Sequence, residues 1–458
     1  MSSVLLVPNF IRMQLSPTIL VELAGRYAFL KSPTESGPPA QRDPAVIATV
    51  SEMLKTIETG GIDAVLAYAA KLDHPTDGIV ELSEAGIRAA GERITPELRN
   101  ALEIGADRTR RFAQETRAHL VDFETELIPG LITGQKYVPV QRVGAYLPAG
   151  RFPILASAFM TVNVAKVAGV ETVLACTPPQ ADGHADPAVL YSAVISGADR
   201  IYLLGGVQAL AAMAFGLLGE LPVDMLVGAG NAFVAEAKRQ LFGTVNIDLL
   251  AGPSEVAVIA DETADAALVA ADLLGQAEHG PTSPAALVTT SEEFGRAVVA
   301  EVERQLETLA TNEIAGPAWR NYGSVTYAQD IDTAIALMDD FAPEHLELQT
   351  ADDDKYMDRL RNYGSVFIGR WSTVAYSDKG MAGTNHTLPT AGGARHSAGL
   401  SVSRFLKPLT YQRVSREATQ LLAGPVDVIA SYEGMAAHRA TATMRLAAFA
   451  EPTTNSSS

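Results

Sequence analysis

Val143-Gly144-Ala145-Tyr146-Leu147-Pro148-Ala149-Gly150 sets the pattern of the chain's middle: a short run of small and β-favouring residues, a glycine turn, then a helical window. The pattern returns at Val173–Cys176, at Arg200–Leu204 before Gly205-Gly206, and at Met225–Val227 before Gly228-Ala229-Gly230-Asn231. Apolar runs this short, bounded by glycine, read as strands buried on both faces. Between them Ile154–Val167, Pro187–Ser196, Gln208–Gly216 and Asn231–Phe242 carry helical periodicity. A second series follows, with strands at Glu255–Ala260, Ala285–Thr289, Ser324–Tyr327, Leu346–Gln349 and Val366–Ile368. Its helices fall at Ala264–Gln276, Ser291–Leu309, Asp332–Asp340 and Asp352–Asn362. Strands alternating with helices predict parallel sheets covered on both faces, and two series in tandem predict two doubly wound, Rossmann-like α/β domains.

Working outward, residues 1–140 read as a mainly helical region, with Glu52–Leu72 interrupted at Gly60-Gly61 and Pro96–Leu120 amphipathic. Residues 141–254 form the first predicted domain, 255–376 the second, and 377–458 a loop-rich and helical segment whose helix spans Met435–Ala448. The polar tail Glu451–Ser458 reads as disordered.

Charge removes whole classes of function. The chain carries 35 Lys and Arg against 53 Asp and Glu, a formal charge of −18, which opposes binding to nucleic acid and to anionic lipid. The one cysteine, Cys176, permits no intrachain disulfide and no thiolate metal cluster. The run Val4–Val7 lacks a basic start and a cleavage site, and Ile154–Cys176 is interrupted by Asn163, Lys166 and Glu171, so the expectation is a soluble, cytoplasmic protein.

In doubly wound sheets ligands sit beyond the carboxyl ends of the strands, so site residues are expected in the loops that follow them. Three glycine turns after successive strands make a cradle for a dinucleotide, although each turn alone is a weak signal and no G-x-G-x-x-G follows the first strand. Gln276 and His279, three apart at a helix end, can face one point. With His345 beside Glu344, and Asp378, His386 and His438 further on, the chain holds nitrogen and oxygen ligands suited to Zn²⁺ with an open position. Taken singly, each histidine reads more simply as a cap or a surface residue.

Taken together, these segments resemble histidinol dehydrogenases: Ala251–Glu255, Leu274–His279, Ala342–His345, Thr384–Thr390 and Gly399–Val402, with Gly205–Ala209, Gly230-Asn231, and Glu433-Gly434 followed by His438. They run in family order from about residue 45 to 448. The resemblance implies a zinc- and NAD-dependent alcohol dehydrogenase that takes a primary alcohol through an aldehyde to a carboxylate in two hydride transfers. It implies Glu344 and His345 as the catalytic pair, and Gln276, His279, Asp378 and His438 as zinc ligands. Ser254 and Glu433 would contact substrate together with the metal ligands and His345, and Tyr146, Gln208 and Asn231 would contact NAD. It further implies a homodimer in which His438 and Glu433 reach the partner's active site.

Some details depart from the histidine-biosynthetic pattern. Gly280-Pro281-Thr282-Ser283-Pro284 follows His279, Arg151 and Phe152 stand in the first glycine turn, and the Asp378–His386 spacing is one residue longer. Val374–Lys379 and Thr410–Arg413 are closer to a sulfopropanediol dehydrogenase-like branch, which makes a small anionic diol the favoured substrate and L-histidinol the alternative, with Arg151 either a substrate-anion contact or a surface or cofactor-phosphate arginine. A zinc hydrolase using Glu344 would leave the glycine turns and Tyr146 without a role. A catalytically silent binding protein would have no need of the intact Glu344-His345 pair.

Overall fold

The computed structural model describes residues 15–35, 43–73, 80–149, 152–219 and 221–450. The chain divides into a larger unit, residues 1–117 and 140–405, and a smaller one, residues 118–139 and 406–458.

The larger unit contains two six-stranded sheets. In the first, Arg142–Tyr146 lies between Thr172–Thr177 and Met225–Val227, with Arg200–Leu203 and Asn246–Ile247 further out, all parallel. In the second, Val256–Ala260 lies between Ala285–Thr289 and His345–Gln349, with Gly323–Ala328 and Ser365–Ile368 further out, again all parallel. In chain order both read 3-2-1-4-5, so each reverses direction beside its first strand, the topological switch point of a doubly wound sheet.

Each sheet also gains one antiparallel edge strand from the N-terminal region. Val80–Glu81 pairs with Arg200–Leu203, and Tyr27–Lys31 pairs with Gly323–Ala328. The region expected to be mainly helical therefore caps both sheets with strands. Its long helix Pro44–Leu72 carries the expected break, where Gly61 adopts φ 62°.

The core follows from the buried runs. Val256, Val258 and Ala260 pack with Leu273, Phe294 and Trp319 on one face of the second sheet, while Ala257, Ile259, Leu346 and Leu348 meet Ile335, Met338 and Phe341 on the other. A strand buried on both faces must be apolar at every position, and this one is. In the first sheet, Leu174, Cys176, Tyr202 and Leu226 are covered by the helix Gly206–Ala214, of which Val207 to Ala214 are all buried. Cys176 is buried, as expected of a small apolar side chain.

Two expected helices differ for local reasons. Asp352–Asn362 shortens to Asp353–Met357, because the Asp339 carboxylate takes the amides of Arg361 and Asn362 out of helical pairing. Ile154–Val167 contains a π-helical turn, Phe159–Asn163, before Val164–Ala168. The Asn385 side chain donates to the Met160 carbonyl within that turn at 2.8 Å.

In the smaller unit, Phe123–Ile128, Leu131–Pro139 and Leu406–Val414 form a three-stranded antiparallel sheet, and the helices Arg416–Tyr432 and Ala436–Ala450 follow. These strands lie where helix and loop were expected. Thr410–Arg413, read as a mark of substrate class, sits inside the third strand. Tyr411 packs over Gly134 there and donates to Glu124 at 2.6 Å. No helix among the described residues is long and apolar enough to cross a membrane.

Candidate active site

The first sheet delivers its candidate residues at its carboxyl edge. Tyr146 ends the strand Arg142–Tyr146, and its hydroxyl accepts from the Gly206 amide at 3.3 Å. Burial pushes this phenol up to about 12. Gln208, in the first turn of the next helix, donates to Asp73 at 3.2 Å and keeps a buried Oε1 without a partner. Asn231 caps the helix Ala232–Leu241, its Oδ1 accepting from Phe233 and Val234.

The turn before Asn231 is tightly held. Gly228 has φ 116°, and a Cβ there would lie 2.2 Å from the Tyr146 carbonyl, so only glycine fits. Asp248 accepts from the Gly228 amide at 2.7 Å, Lys238 donates to the Gly228 carbonyl at 2.8 Å, and the Lys238 ammonium pairs with Asp248 in full burial.

The second sheet delivers its residues at the opposite edge. Glu255 precedes Val256–Ala260, His345 opens His345–Gln349, and Gln276 and His279 lie at the end of the helix leading into Ala285–Thr289. Tyr146 and the helices of Gln208 and Asn231 thus follow strands of the first sheet, as expected of candidate site residues, whereas Gln276, His279 and His345 stand at or before the starts of strands in the second. Asp378 does follow a strand, ending the short helix Val374–Asp378 after Ser365–Ile368.

His345 is buried. Its Nδ1 lies 3.0 Å from the Glu255 carbonyl, and its Nε2 has no partner. A carbonyl only accepts, so Nδ1 carries the proton and Nε2 presents a lone pair. Burial pushes this imidazole down to about 4, which keeps it neutral at neutral pH. Glu344 is buried beside it, Oε2 lying 3.5 Å from the His345 Nδ1, and burial raises its carboxyl well above the ordinary range.

Asp378 Oδ2 lies 3.4 Å from His279 Nε2, and Asp378 Oδ1 lies 3.9 Å from His386 Nδ1. Burial acts to raise the Asp378 carboxyl, but the His279 hydrogen bond and the His386 and His345 charges outweigh it and hold it well below the usual range. The extra residue between Asp378 and His386 is absorbed in a turn carrying Gly380 and Gly383 at positive φ, closed at its neck by a hydrogen bond between Thr384 and Ser377. His386 stood in the sequence among the candidate nitrogen ligands, without an assigned role. Burial pushes its imidazole down, and its Nδ1 is unpartnered.

A cleft of about 570 Å³ joins the two edges, with Gly230 and Asn231 on one side and Ser254, His279, Thr282 and Ser283 on the other. Among the described residues no three His, Cys, Asp or Glu side chains converge tightly enough to hold a metal by themselves. The donor set nonetheless fits zinc. His279 and Asp378 face each other, and Gln276, one turn before His279, is buried with both Oε1 and Nε2 unpartnered, a cost that a ligand would relieve.

Residues 38–446 match the family model of histidinol dehydrogenases. The chain belongs to the histidinol dehydrogenase family. A histidinol dehydrogenase homolog of Shouchella clausii is 45% identical over 87% of this chain and 93% of its own. A sulfopropanediol 3-dehydrogenase of Ruegeria pomeroyi is also 45% identical, over 88% of this chain and 92% of its own. A solved histidinol dehydrogenase from Elizabethkingia anophelis superposes with a TM-score of 0.86 at 34% identity, covering 91% of this chain and 95% of that one. Histidinol dehydrogenases are NAD-dependent oxidoreductases acting on alcohol groups and generally use zinc.

The structure thus brings Glu344, His345, His279 and Asp378 into one neighbourhood and adds His386 and Glu255 to it. Ser254 and Asn231 line the cleft, and Tyr146 and Gln208 flank the second glycine turn. Glu433 and His438 belong to the smaller unit, where both are exposed. Arg151 lies outside the described residues, as does the tail from Glu451.

Proposed function

We propose that this chain oxidises a primary alcohol carrying a small anionic group, through its aldehyde, to the carboxylate, with NAD as the acceptor of both hydrides. The observation that carries the reading is His345, buried, neutral and presenting an unpartnered Nε2 beside a buried Glu344. That is the equipment of a proton acceptor beside a carboxyl whose hold on its proton burial strengthens.

His345 Nε2 takes the alcohol proton in the first step, releases it to water, and takes a proton from the hydrated aldehyde in the second. The Glu255 carbonyl holds the imidazole in the required tautomer throughout. Glu344 activates the water that adds to the aldehyde between the steps. Gln276, His279 and Asp378 are the zinc ligands of this chain, and Tyr146, Gln208 and Asn231 contact the dinucleotide. When bound, NAD would supply the hydride acceptor, and zinc would supply a Lewis acid that holds the substrate by its polar groups and fixes its approach to the nicotinamide. Ser254, on the cleft wall, contacts the substrate, and keeping the aldehyde in the cleft prevents its escape.

The partner's Glu433 and His438 complete the site in a homodimer. The smaller unit exposes Val121, Phe123, Leu127, Val428, Ile429 and Tyr432, apolar surface of the kind a second subunit covers. The Ruegeria relative's activity and the Val374–Lys379 run favour a sulfonate-bearing diol over L-histidinol.

The test is NADH formation by purified protein with L-histidinol, a sulfonated propanediol and the unsulfonated propanediol. The reading expects turnover of the sulfonated diol with acid as the final product. Preference for L-histidinol would overturn the substrate, and no NADH from any primary alcohol would overturn the reaction.

A further inference from the structure

Below the catalytic residues lies a second acidic pair that the reaction above does not use. Glu347 follows His345 by two positions, so it leaves the strand on the same face. That face packs on Leu273, Leu274, Phe367 and Val374. Glu347 is fully buried there and is hydrogen-bonded, carboxyl to carboxyl, to Asp272 of the helix Ala266–Ala277. Two carboxylates cannot bond without a proton between them. Burial raises both carboxyls, so a proton is shared within the pair.

The remaining acceptors are also in use. Glu347 Oε1 accepts from the Val374 amide at 3.2 Å. The Gln349 side-chain amide donates to Asp272 Oδ2 at 2.9 Å and to Glu347 Oε2 at 3.2 Å. Thr373 hydrogen-bonds Asp272 from the N-cap position of the helix Val374–Asp378. A single carboxyl pair thus fastens three elements: the strand that opens on His345, the helix that carries Gln276 one turn beyond Asp272, and the short helix that ends on Asp378.

We propose that Glu347 and Asp272 act as a proton-sharing clamp whose task is to hold Gln276 and Asp378 in position for a divalent ion. The metal half of this rests on the zinc-dependent reading above. An apolar pair would fill the same space without the desolvation that two buried carboxyls cost, so packing alone gives no reason for them. Both are positioning residues.

The test uses the full-length protein with two substitutions. Glu347→Gln keeps the donor to Asp272 and the acceptor for Val374, whereas Glu347→Leu keeps the bulk and neither bond. Zinc affinity is read by competition with a fluorescent chelator, and amide exchange of residues 374–378 is read in metal-free protein. The clamp predicts zinc affinity lowered about 10- to 100-fold in Glu347→Leu, faster exchange at 374–378, and near-parental values of both in Glu347→Gln. Parental behaviour of Glu347→Leu in both measurements, or equal damage in the two variants, overturns it. Should the leucine variant fail to fold, Glu347→Asp, one methylene too short to reach both Val374 and Asp272, takes its place with the leucine variant's predicted losses. If the parent protein binds no zinc, the zinc reading fails, while the exchange measurement still decides the clamp.

Discussion

Glu255 and Glu344 hold each other across neighbouring parallel strands: the Glu255 amide donates to Glu344 Oε2 at 2.9 Å, and the Glu344 amide donates to Glu255 Oε1 at 3.3 Å. Each residue stands one position before the paired start of its strand, where Val256 is in register with His345. The Glu255 carbonyl then orients His345, and the Ala391 amide adds a further bond to the Glu255 carboxyl at 3.1 Å. The proposed catalytic pair, Glu344 and His345, is therefore set at strand starts, with the Glu255 and Glu344 carboxyls each held by backbone donors.

From this arrangement the two steps of the reaction should separate. His345→Asn removes the proton acceptor and is expected to depress both oxidations by on the order of 10²–10⁴. Glu344→Gln keeps the bond from Glu255 and loses the base, so the first step should survive better and aldehyde should accumulate. Single-turnover measurement of aldehyde and acid in each variant decides it, and equal loss of both steps in Glu344→Gln would show the roles to be misassigned.

Metal removal gives a second prediction. Treatment with a chelator should abolish turnover, and added zinc should restore it. Gln276→Ala should weaken zinc binding by about tenfold or more without unfolding the chain, because the Gln276 side chain makes no hydrogen bond that the fold would lose. Full activity of chelated, zinc-free protein would be incompatible with the proposed site. Mixing His438→Ala chains with Glu344→Ala chains should recover part of the activity, if His438 serves the partner's site.

Most of the doubly wound architecture was legible in the sequence because its strands are short apolar runs, buried on both faces and punctuated by glycine. Phe123–Ile128 offered no such signal. Its side chains are almost all exposed: Phe123, Thr125 and Leu127 share one face with Glu124 and Glu126 on the other, and neither face is buried in a core. The edge strands Tyr27–Lys31 and Val80–Glu81 failed for a different reason: a mostly apolar run of five residues fits a helix as well as a strand, and two residues carry no period. Resemblance named Glu344, His345 and Asp378 as candidates, whereas their gathering at the second sheet's amino edge was not legible. Nothing in a strand's own residues records which of its ends faces the cleft. The place of His386 depends on the turn through Gly380 and Gly383, a backbone feature that spacing alone does not reveal.

Gly228→Ala should damage both fold and cofactor binding. The added Cβ meets the Tyr146 carbonyl at 2.2 Å, and positive φ adds strain, for a combined cost of about 3 kcal/mol. The turn would shift away from Tyr146 and carry Asn231 with it, so NAD affinity should fall at least about tenfold. Thermal unfolding and NAD titration check this, and an unchanged melting temperature would contradict the contact.

Tyr146 predicts a particular alkaline weakness. Its phenol lies at about 12 in the folded chain against 10.0 when free, through burial. Below pH 10 the phenol is protonated in both states, and its contribution to stability is complete. Between 10 and 12 the unfolded chain releases the proton that the folded chain keeps, so stability falls as pH rises, by about 3 kcal/mol at most. Urea unfolding on either side of that window should show a smaller fall in Tyr146→Phe than in the parent.

The smaller unit's discontinuity has a consequence for synthesis. Phe123–Ile128 and Leu131–Pro139 leave the ribosome as a hairpin, and a lone hairpin is at best marginally stable in water. Their third strand, Leu406–Val414, emerges only after both large sheets have been translated. Until then one side of Leu131–Pro139 is an unpaired edge, the kind of template on which nascent chains stick to one another. The last strand to be made is thus the one that closes this unit. A chain truncated before Leu406 is expected to aggregate through this edge rather than accumulate as a smaller folded protein.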